Sequence, residues 1–84
     1  MAKKETLEEK LKVLEAALFI ANRPVSYEDL AQVTKLGTRD AVKLAEQLST
    51  EFGQRNSSLE VVVGDSAASI QVKGEYVAPV ASLT

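Results

Sequence analysis

The sequence predicts an α+β fold of the winged helix-turn-helix type, in which three helices precede a C-terminal β-hairpin, the wing. As far as residue 52, apolar residues recur every three or four positions, which is the period of amphipathic helices. A glycine-containing break separates the second and third helical segments, as in a helix-turn-helix. Two segments rich in β-branched residues follow, over 59–63 and 70–72, and the turn-forming run 64–66 joins them.

The length and composition predict one small domain that covers residues 1–84. A chain of 84 residues suffices for one hydrophobic core, and at this size it buries only about 60–65% of its unfolded surface. Hydrophobic residues make up 45% of the chain, aromatic residues only 5%, and tryptophan is absent. We therefore expect a core of leucine, valine, isoleucine and alanine that gains stability from a partner surface.

The chain contains neither cysteine nor histidine, which excludes disulfides, thiol nucleophiles, imidazole bases and the commonest zinc ligands. Adjacent acids occur at 8–9 and 28–29, in the first turns of predicted helices, where they complement the helix dipole. We therefore expect no catalytic residue, no cofactor and no metal. No segment approaches the roughly 20 apolar residues that span a bilayer, and the absence of cysteine fits a cytoplasmic protein.

The first helix is expected to begin at Thr6 and to end near Asn22. Thr6 and Glu9 form a capping-box pair, in which each side chain can bond a free backbone amide at the helix start. At about 100° per residue, one apolar stripe lies along a single side of this helix and is expected to face the core. Its members are Leu7, Leu11, Leu14, Leu18 and Ala21.

A second apolar set lies on the opposite side of the first helix. It consists of Val13, Ala16 and Ile20, with Phe19 at its edge. A surface helix normally has one apolar stripe and one polar face. Either both sides of this helix are buried within the domain, or one side contacts another chain, and the sequence leaves both alternatives open.

Pro24 ends the first helix, because proline cannot continue a helix and restricts the residue before it. Ser26 is expected to cap a short second helix. That helix should end at Gly37, because glycine readily adopts the left-handed conformation of a helix C-cap. The residues expected on its buried side are Leu30, Ala31 and Val33.

Thr38 is expected to cap the third helix, which runs to about Phe52 and is followed by Gly53. Its buried stripe is expected to be Ala41, Leu44, Ala45, Leu48 and Phe52. In the second strand of the wing, one face should be buried because apolar and polar residues alternate. The residues of that face are Ala68, Ile70 and Val72. The tail, residues 74–84, has an apolar spacing that predicts docking on a surface.

The third helix of a winged helix-turn-helix can enter the major groove of DNA. Cations that could contact phosphates are Lys35, Arg39 and Lys43, but acids on the third helix nearly cancel its bases. The net charge is −2, and Asp65 stands at the wing tip, where a groove-reading wing favours arginine. The sequence therefore predicts only a weak nucleic-acid contact.

A distinctive run, Leu-Glu-Ala-Ala-Leu-Phe-Ile-Ala, occupies 14–21, and Arg-Pro-Val-Ser-Tyr-Glu-Asp-Leu-Ala follows at 23–31. Two further features are the wing strands and the segment Glu-Tyr-Val-Ala-Pro-Val at 75–80. Together, over 7–83, these stretches resemble the N-terminal winged-helix domain of the segregation and condensation protein B (ScpB) family. Gly74 departs from the pattern, because the family often has proline there.

The resemblance implies a non-enzymatic scaffold subunit of the prokaryotic SMC–kleisin (condensin) complex, which acts in chromosome condensation and segregation at the nucleoid. Proteins of this family have two winged-helix domains in tandem. They form homodimers through the N-terminal domains and bind the kleisin ScpA, which connects them to the SMC ATPase. The present chain is about half as long, so residues 1–84 would correspond to the N-terminal half of such a protein.

From the second apolar set and the tail, we predict an interface with a second copy or another partner. Its residues are Val13, Ala16, Phe19, Ile20, Tyr76, Val77 and Val80. The alternative function is that of a winged-helix DNA-binding transcription regulator, and a third possibility is an adaptor for an unrelated protein.

Overall fold

The computed structural model describes residues 6–83 and has the predicted order of three helices followed by a hairpin. Its elements are α1 (Leu7–Ala21), β1 (Val25–Ser26), α2 (Tyr27–Thr34), α3 (Thr38–Arg55), β2 (Leu59–Val63), β3 (Ala67–Val72), α4 (Gly74–Val80) and a 3-10 turn (Ala81–Leu83). The predicted α+β winged helix-turn-helix fold is confirmed. Within the described residues, no helix combines the length and the hydropathy needed to cross a membrane.

Helix α1 begins at its predicted cap, since the Thr6 hydroxyl accepts a hydrogen bond from the backbone amide of Glu9 at 3.1 Å. The core side of α1 is also as predicted, with Leu11, Leu14 and Leu18 buried. The expectation for Leu7 was wrong, because this side chain is 68% exposed. Leu7 lies one turn before Leu11, where the hydrophobic core begins, and therefore has nothing to pack against.

Helix α2 is capped by Ser26, whose hydroxyl accepts a hydrogen bond from the amide of Asp29 at 3.1 Å. Leu30 and Ala31 are buried as predicted, but Val33 is 50% exposed. A helix that starts at residue 27 places positions 27, 30, 31 and 34 on one side, so Thr34 occupies the buried position expected for valine. Its hydroxyl donates to a backbone carbonyl of its own helix at 2.6 Å, which satisfies the buried oxygen.

The turn between α2 and α3 differs from the prediction by two residues. Lys35, and not Gly37, adopts the left-handed conformation, with φ 58°. The amide of Leu36 bonds the carbonyl of Ala31 at 3.0 Å, which is the six-to-one bond of a Schellman motif. Because this bond closes α2 early, Gly37 is extended and becomes the N-cap of α3, and Thr38 is the first helical residue.

Helix α3 is one turn longer than predicted and ends at the left-handed Asn56. Gly53, which was expected to end the helix, lies inside it. The Arg55 guanidinium stacks 4.4 Å from the ring centre of Phe52, and this contact extends over the added turn. The predicted buried stripe is confirmed in full: Ala41, Leu44, Ala45, Leu48 and Phe52.

The three strands form an antiparallel sheet in the order β1-β3-β2. The predicted turn is confirmed, and the amide of Gly64 bonds the carbonyl of Ala67 at 2.9 Å. The second wing strand begins at residue 67 instead of 70, because its first residues also pair with β1, which was not predicted. Along its inner face, burial falls from Ala68 to Ile70, and Val72 is 37% exposed, contrary to the prediction. The strand therefore extends beyond the helices that cover its start.

The tail forms α4, and none of its residues is buried. Helix α4 therefore does not enter the core of this protomer, and docking of the tail stays a prediction. Tyr76, Val77 and Val80 are 43%, 49% and 42% exposed. The described chain measures 47 × 23 × 21 Å.

Candidate protein-interaction surface

The outer side of α1 carries uncovered apolar side chains near the C-terminal end of the helix. Phe19 is 69% exposed and Ile20 is 83% exposed. Ala16 is also exposed, whereas Val13 is half-buried. The alternative in which the domain's own core buries this side of the helix therefore fails for Phe19 and Ile20. These residues are free to contact another molecule.

An open groove separates the end of α1 from the far end of the hairpin. Phe19 and Ile20 lie along one wall, residues 22–24 lie at one end, and the sheet residues Ile70 and Val72 lie along the other wall. The volume of the groove is about 750 Å³. Its lining is mostly apolar, so a ligand would gain stability mainly by removing hydrocarbon from water.

The backbone bonds of the hairpin determine which groups of β3 face this groove. In an antiparallel pair, the backbone N–H and C=O groups of every second residue bond to the neighbouring strand. The backbone groups of the alternate residues point to the opposite edge. The amide of Lys73 bonds the carbonyl of Ser58 at 2.8 Å, and the turn bond involves Ala67. Odd-numbered residues of β3 therefore bond to β2, and even-numbered residues point toward β1.

Strand β1 is too short to use all the groups that point toward it. Its two residues pair with Ala67 and Ala68, and the chain before them bends at Arg23. On this edge, the backbone N–H and C=O groups of Ile70 and Val72 have no hydrogen-bond partner among residues 6–83. We call this stretch the open edge of β3.

The outer edge of β2 is different, because side chains bond two of its outward-facing backbone groups. The Ser57 hydroxyl accepts a hydrogen bond from the amide of Leu59 at 3.0 Å. The Ser49 hydroxyl of α3 donates to the carbonyl of Val61 at 2.9 Å. The protein's own side chains therefore occupy part of this edge.

Arg23 is the charged residue that lines the groove. Its side chain is exposed, and its guanidinium donates a hydrogen bond to the neighbouring Pro24 carbonyl at 3.1 Å. The other polar lining residues are Asn22, Ser69 and Gln71. The groove is thus an apolar channel with one positive charge at its end.

The apolar face of α4 lies beside the same strand. Val77 and Val80 border a shallow depression together with Gln71 and Val72. Val72 therefore belongs both to the groove and to this depression. Phe19 and Ile20 of α1 and Val77 and Val80 of α4 therefore all lie near the end of β3.

The cations predicted for a nucleic-acid contact are elsewhere. Lys35 ends α2, and Arg39 and Lys43 lie one turn apart on α3, all of them exposed. None of the three lines the groove. Asp40 is exposed between the two α3 cations and offsets part of their charge.

The Tyr27 hydroxyl, which is partly buried, joins α2 to the wing. The Tyr27 hydroxyl donates to the carbonyl of Gly64 at 2.7 Å, and the Tyr27 amide bonds the carbonyl of Ser66 at 3.2 Å. Burial raises the pKa of Tyr27, and the charges of Glu46 and Asp65 raise it further. Since this hydroxyl faces a backbone carbonyl and does not line the groove, its role is to hold the wing in place.

The sequence did not reveal the sheet side of the groove. Ile70 and Val72 were predicted as buried core, and Leu59, which also lines the groove, was predicted only as part of a strand. The open edge exists because β1 has two residues and β3 has six. Pro24, which precedes Val25 and has no amide hydrogen, was the one visible sign that β1 would be short.

Comparison with known proteins gives one consistent family. A family model described as segregation and condensation complex subunit ScpB matches residues 12–84. A curated segregation and condensation protein B from Desulforamulus reducens is 35% identical over 49 residues, which cover 58% of this chain and 27% of that protein.

Solved structures share the fold at low sequence identity. The chain superposes on ScpB from Mycobacterium tuberculosis with a TM-score of 0.84 and 20% identity, covering 96% of this chain and 51% of that one. It also superposes on a dimer of an ScpB N-terminal domain complexed with a ScpA peptide, with a TM-score of 0.81 and 20% identity, covering 93% of this chain and 98% of that one. The chain thus spans about half the length of the M. tuberculosis protein.

Proposed function

Because the chain belongs to the segregation and condensation complex subunit ScpB family, we propose that it is a scaffold subunit of the prokaryotic SMC–kleisin complex. In this role it forms a homodimer, binds the kleisin ScpA, and acts in chromosome condensation and segregation at the nucleoid. It corresponds to the N-terminal winged-helix domain of a protein with two such domains. The observation that carries the proposal is the uncovered apolar surface at the end of α1.

Homodimer formation follows from how much apolar surface the protomer leaves exposed. A stable dimer buries about 800 Å² per partner, and α1 with its 15 residues is about 22 Å long. The outer residues of α1 and the apolar face of α4 would together form this surface. A two-fold axis requires one patch to fit itself, and small Ala16 between larger neighbours allows close approach of two helices.

Binding of ScpA is supported by the related domain that was crystallised with a ScpA peptide. That domain has the fold of this chain over nearly its whole length. The apolar groove beside β3, which shares Phe19 and Ile20 with the proposed dimer surface, adds the backbone edge of Ile70 and Val72 for such a partner. We propose no catalytic step, because the groove lining contains no carboxylate, cysteine or histidine.

DNA contact is proposed to be weak and indirect. Lys35, Arg39 and Lys43 are exposed, but Asp40 and Glu46 are exposed on the same helix. A protein that holds DNA by its phosphates needs a clear basic excess on one face. Among residues 6–83, no feature favours a sequence-specific regulator over the scaffold role.

Dimer formation is tested by molar mass in solution. We expect the wild-type chain to have the mass of a dimer at a few tens of micromolar in size-exclusion chromatography with light scattering. Ile20→Glu places a charge in the proposed interface and should give folded monomers. Val33→Glu is the matched control on α2, because Val33 is also apolar and exposed, and it should stay dimeric. A monomeric wild-type chain would contradict the dimer.

Binding of the kleisin is tested by calorimetric titration with the ScpA protein encoded in the same genome. We expect saturable binding to the wild-type chain. The absence of any heat or mass shift with ScpA, under conditions where both proteins are folded, would overturn the scaffold role.

A further inference from the structure

We propose that the open edge of β3 binds an extended segment of the kleisin by β-strand addition. The segment would carry apolar side chains at alternate positions, which enter the groove, and a carboxylate that faces Arg23. The inference rests on the proposed function, since it names the manner and chemistry of ScpA binding.

The backbone of β3 defines the shape of the ligand. Ile70 and Val72 present two amide donors and two carbonyl acceptors in alternating order along one edge. Only another extended strand matches this spacing, because a helix uses its own backbone groups internally. A segment of about four or five residues is long enough to reach all four groups.

The groove determines which side chains the segment needs. In an extended chain, every second side chain points to the same side. One set would lie over the inner face of the sheet, where Phe19, Leu59 and Ile70 line the groove. This set is apolar because its surroundings are apolar, and the other set faces water and is unrestricted.

Arg23 supplies the charge selectivity. It is exposed at the end of the groove, and its guanidinium bonds only a neighbouring carbonyl in the described chain. A guanidinium binds a carboxylate through two parallel hydrogen bonds. An acidic residue at that end of the segment is therefore the best complement.

A second copy of this chain does not fit the open edge in the register that pairs Ile70 with Val72 in both directions. If two β3 strands paired edge to edge with Ile70 opposite Val72, Ala68 of one copy would face Gly74 of the other. In the first copy, β1 already occupies the space beside Ala68, so it would collide with the incoming chain. The open edge therefore takes a strand that has no neighbour of its own on that side.

The backbone bond is tested with Val72→Pro, using Val72→Thr as the matched control. Proline removes the amide hydrogen of residue 72, which points away from β2, so the hairpin keeps all its own bonds. We expect Val72→Pro to weaken ScpA binding about tenfold, since one backbone hydrogen bond is lost. Val72→Thr keeps the amide and the branched shape, and its affinity should stay within about threefold of wild type. Equal affinity of the proline and wild-type proteins would overturn the inference.

Hydrogen exchange gives a second readout that does not depend on a variant. By NMR, exchange of the Ile70 and Val72 amides should slow at least about tenfold when ScpA binds, whereas the amide of Asp65 in the turn should not change. ScpA binding without this protection would overturn strand addition and leave the scaffold role intact. Protection in the homodimer before ScpA is added would show that a second copy occupies the edge and would also overturn the inference. Failure of ScpA to bind the wild-type chain would overturn both proposals.

Discussion

The two edges of the small sheet differ in how their backbone groups are treated. At the edge of β2, the hydroxyls of Ser57 and Ser49 bond the free amide of Leu59 and the free carbonyl of Val61. At the open edge of β3, no described side chain does the same for Ile70 or Val72. Proteins usually protect exposed edges, because unpaired strands associate with other chains. An edge left open beside an apolar groove is therefore best explained as a binding site.

The same contrast is visible in the two phenylalanines. Phe52 lies under β2 and is 3% exposed, whereas Phe19 lies beside the open edge and is 69% exposed. Phe52 is thus part of the hydrophobic core, whereas Phe19 lies on the surface. Stability is concentrated on the covered side, and recognition on the uncovered side.

The largest expected difference in unfolding free energy is between the alanine variants of these two phenylalanines. Phe52→Ala should lower the free energy of unfolding by about 3–5 kcal/mol, because it leaves a cavity in the core. Phe19→Ala should change it by less than about 0.5 kcal/mol, because most of this ring is in water. Urea unfolding monitored by circular dichroism at a concentration that gives monomers measures both. Similar losses for the two variants would mean that Phe19 belongs to the core.

A smaller effect is expected from the hydroxyl that covers the β2 edge. Ser49→Ala removes the donor to the Val61 carbonyl and should cost about 1 kcal/mol of unfolding free energy. Ser69→Ala, beside the open edge, should cost less than about 0.5 kcal/mol. If urea unfolding gave equal values, the two edges would not differ as described.

Alkaline pH should weaken the link between α2 and the wing. Because the pKa of Tyr27 is raised in the folded state, the unfolded chain loses this proton first, near pH 10, while the folded chain keeps it. The unfolding free energy therefore falls as the pH rises from about 10 toward the folded-state pKa. Tyr27→Phe should remove this fall of the unfolding free energy, measured by urea unfolding across pH 9–11. The control Tyr76→Phe leaves Tyr27 in place and should show the same fall as the wild type.

The smallest effect is expected on the cationic side of α3. The double variant Arg39→Ala and Lys43→Ala should change the unfolding free energy by less than about 0.5 kcal/mol, because both side chains are exposed. Its affinity for ScpA should match that of the wild type. A clear loss of ScpA binding would place part of the kleisin contact on this helix.

The sequence predicted the parts of the fold that depend on local patterns. The cap at Thr6, the stripe of α3 and the hairpin turn were all found as expected, because short-range periodicity and capping chemistry determine them. Val33 was misplaced although the cap at Ser26 was predicted. The buried position belongs to Thr34, whose hydroxyl bonds a carbonyl of its own helix, so the choice of the more apolar residue was wrong.

The sequence predicted the α1 side of the groove but not the side formed by β3. Phe19 and Ile20 were visible as a second apolar set on one helix, but the sequence could not decide whether they were covered. Strand β1 was not predicted, since two residues carry no periodicity and pair with Ala67 and Ala68 far along the chain. Without β1, the open edge of β3 and the role of Val72 could not be inferred.

The bonds at the two ends of β3 have a consequence for how a partner would be received. Near its start, Ser66 accepts the Tyr27 amide, and just after its end, Lys73 donates to Ser58. Backbone hydrogen bonds therefore fix both ends of β3 before a partner binds. A partner segment would lose conformational entropy on binding, whereas β3 would lose almost none.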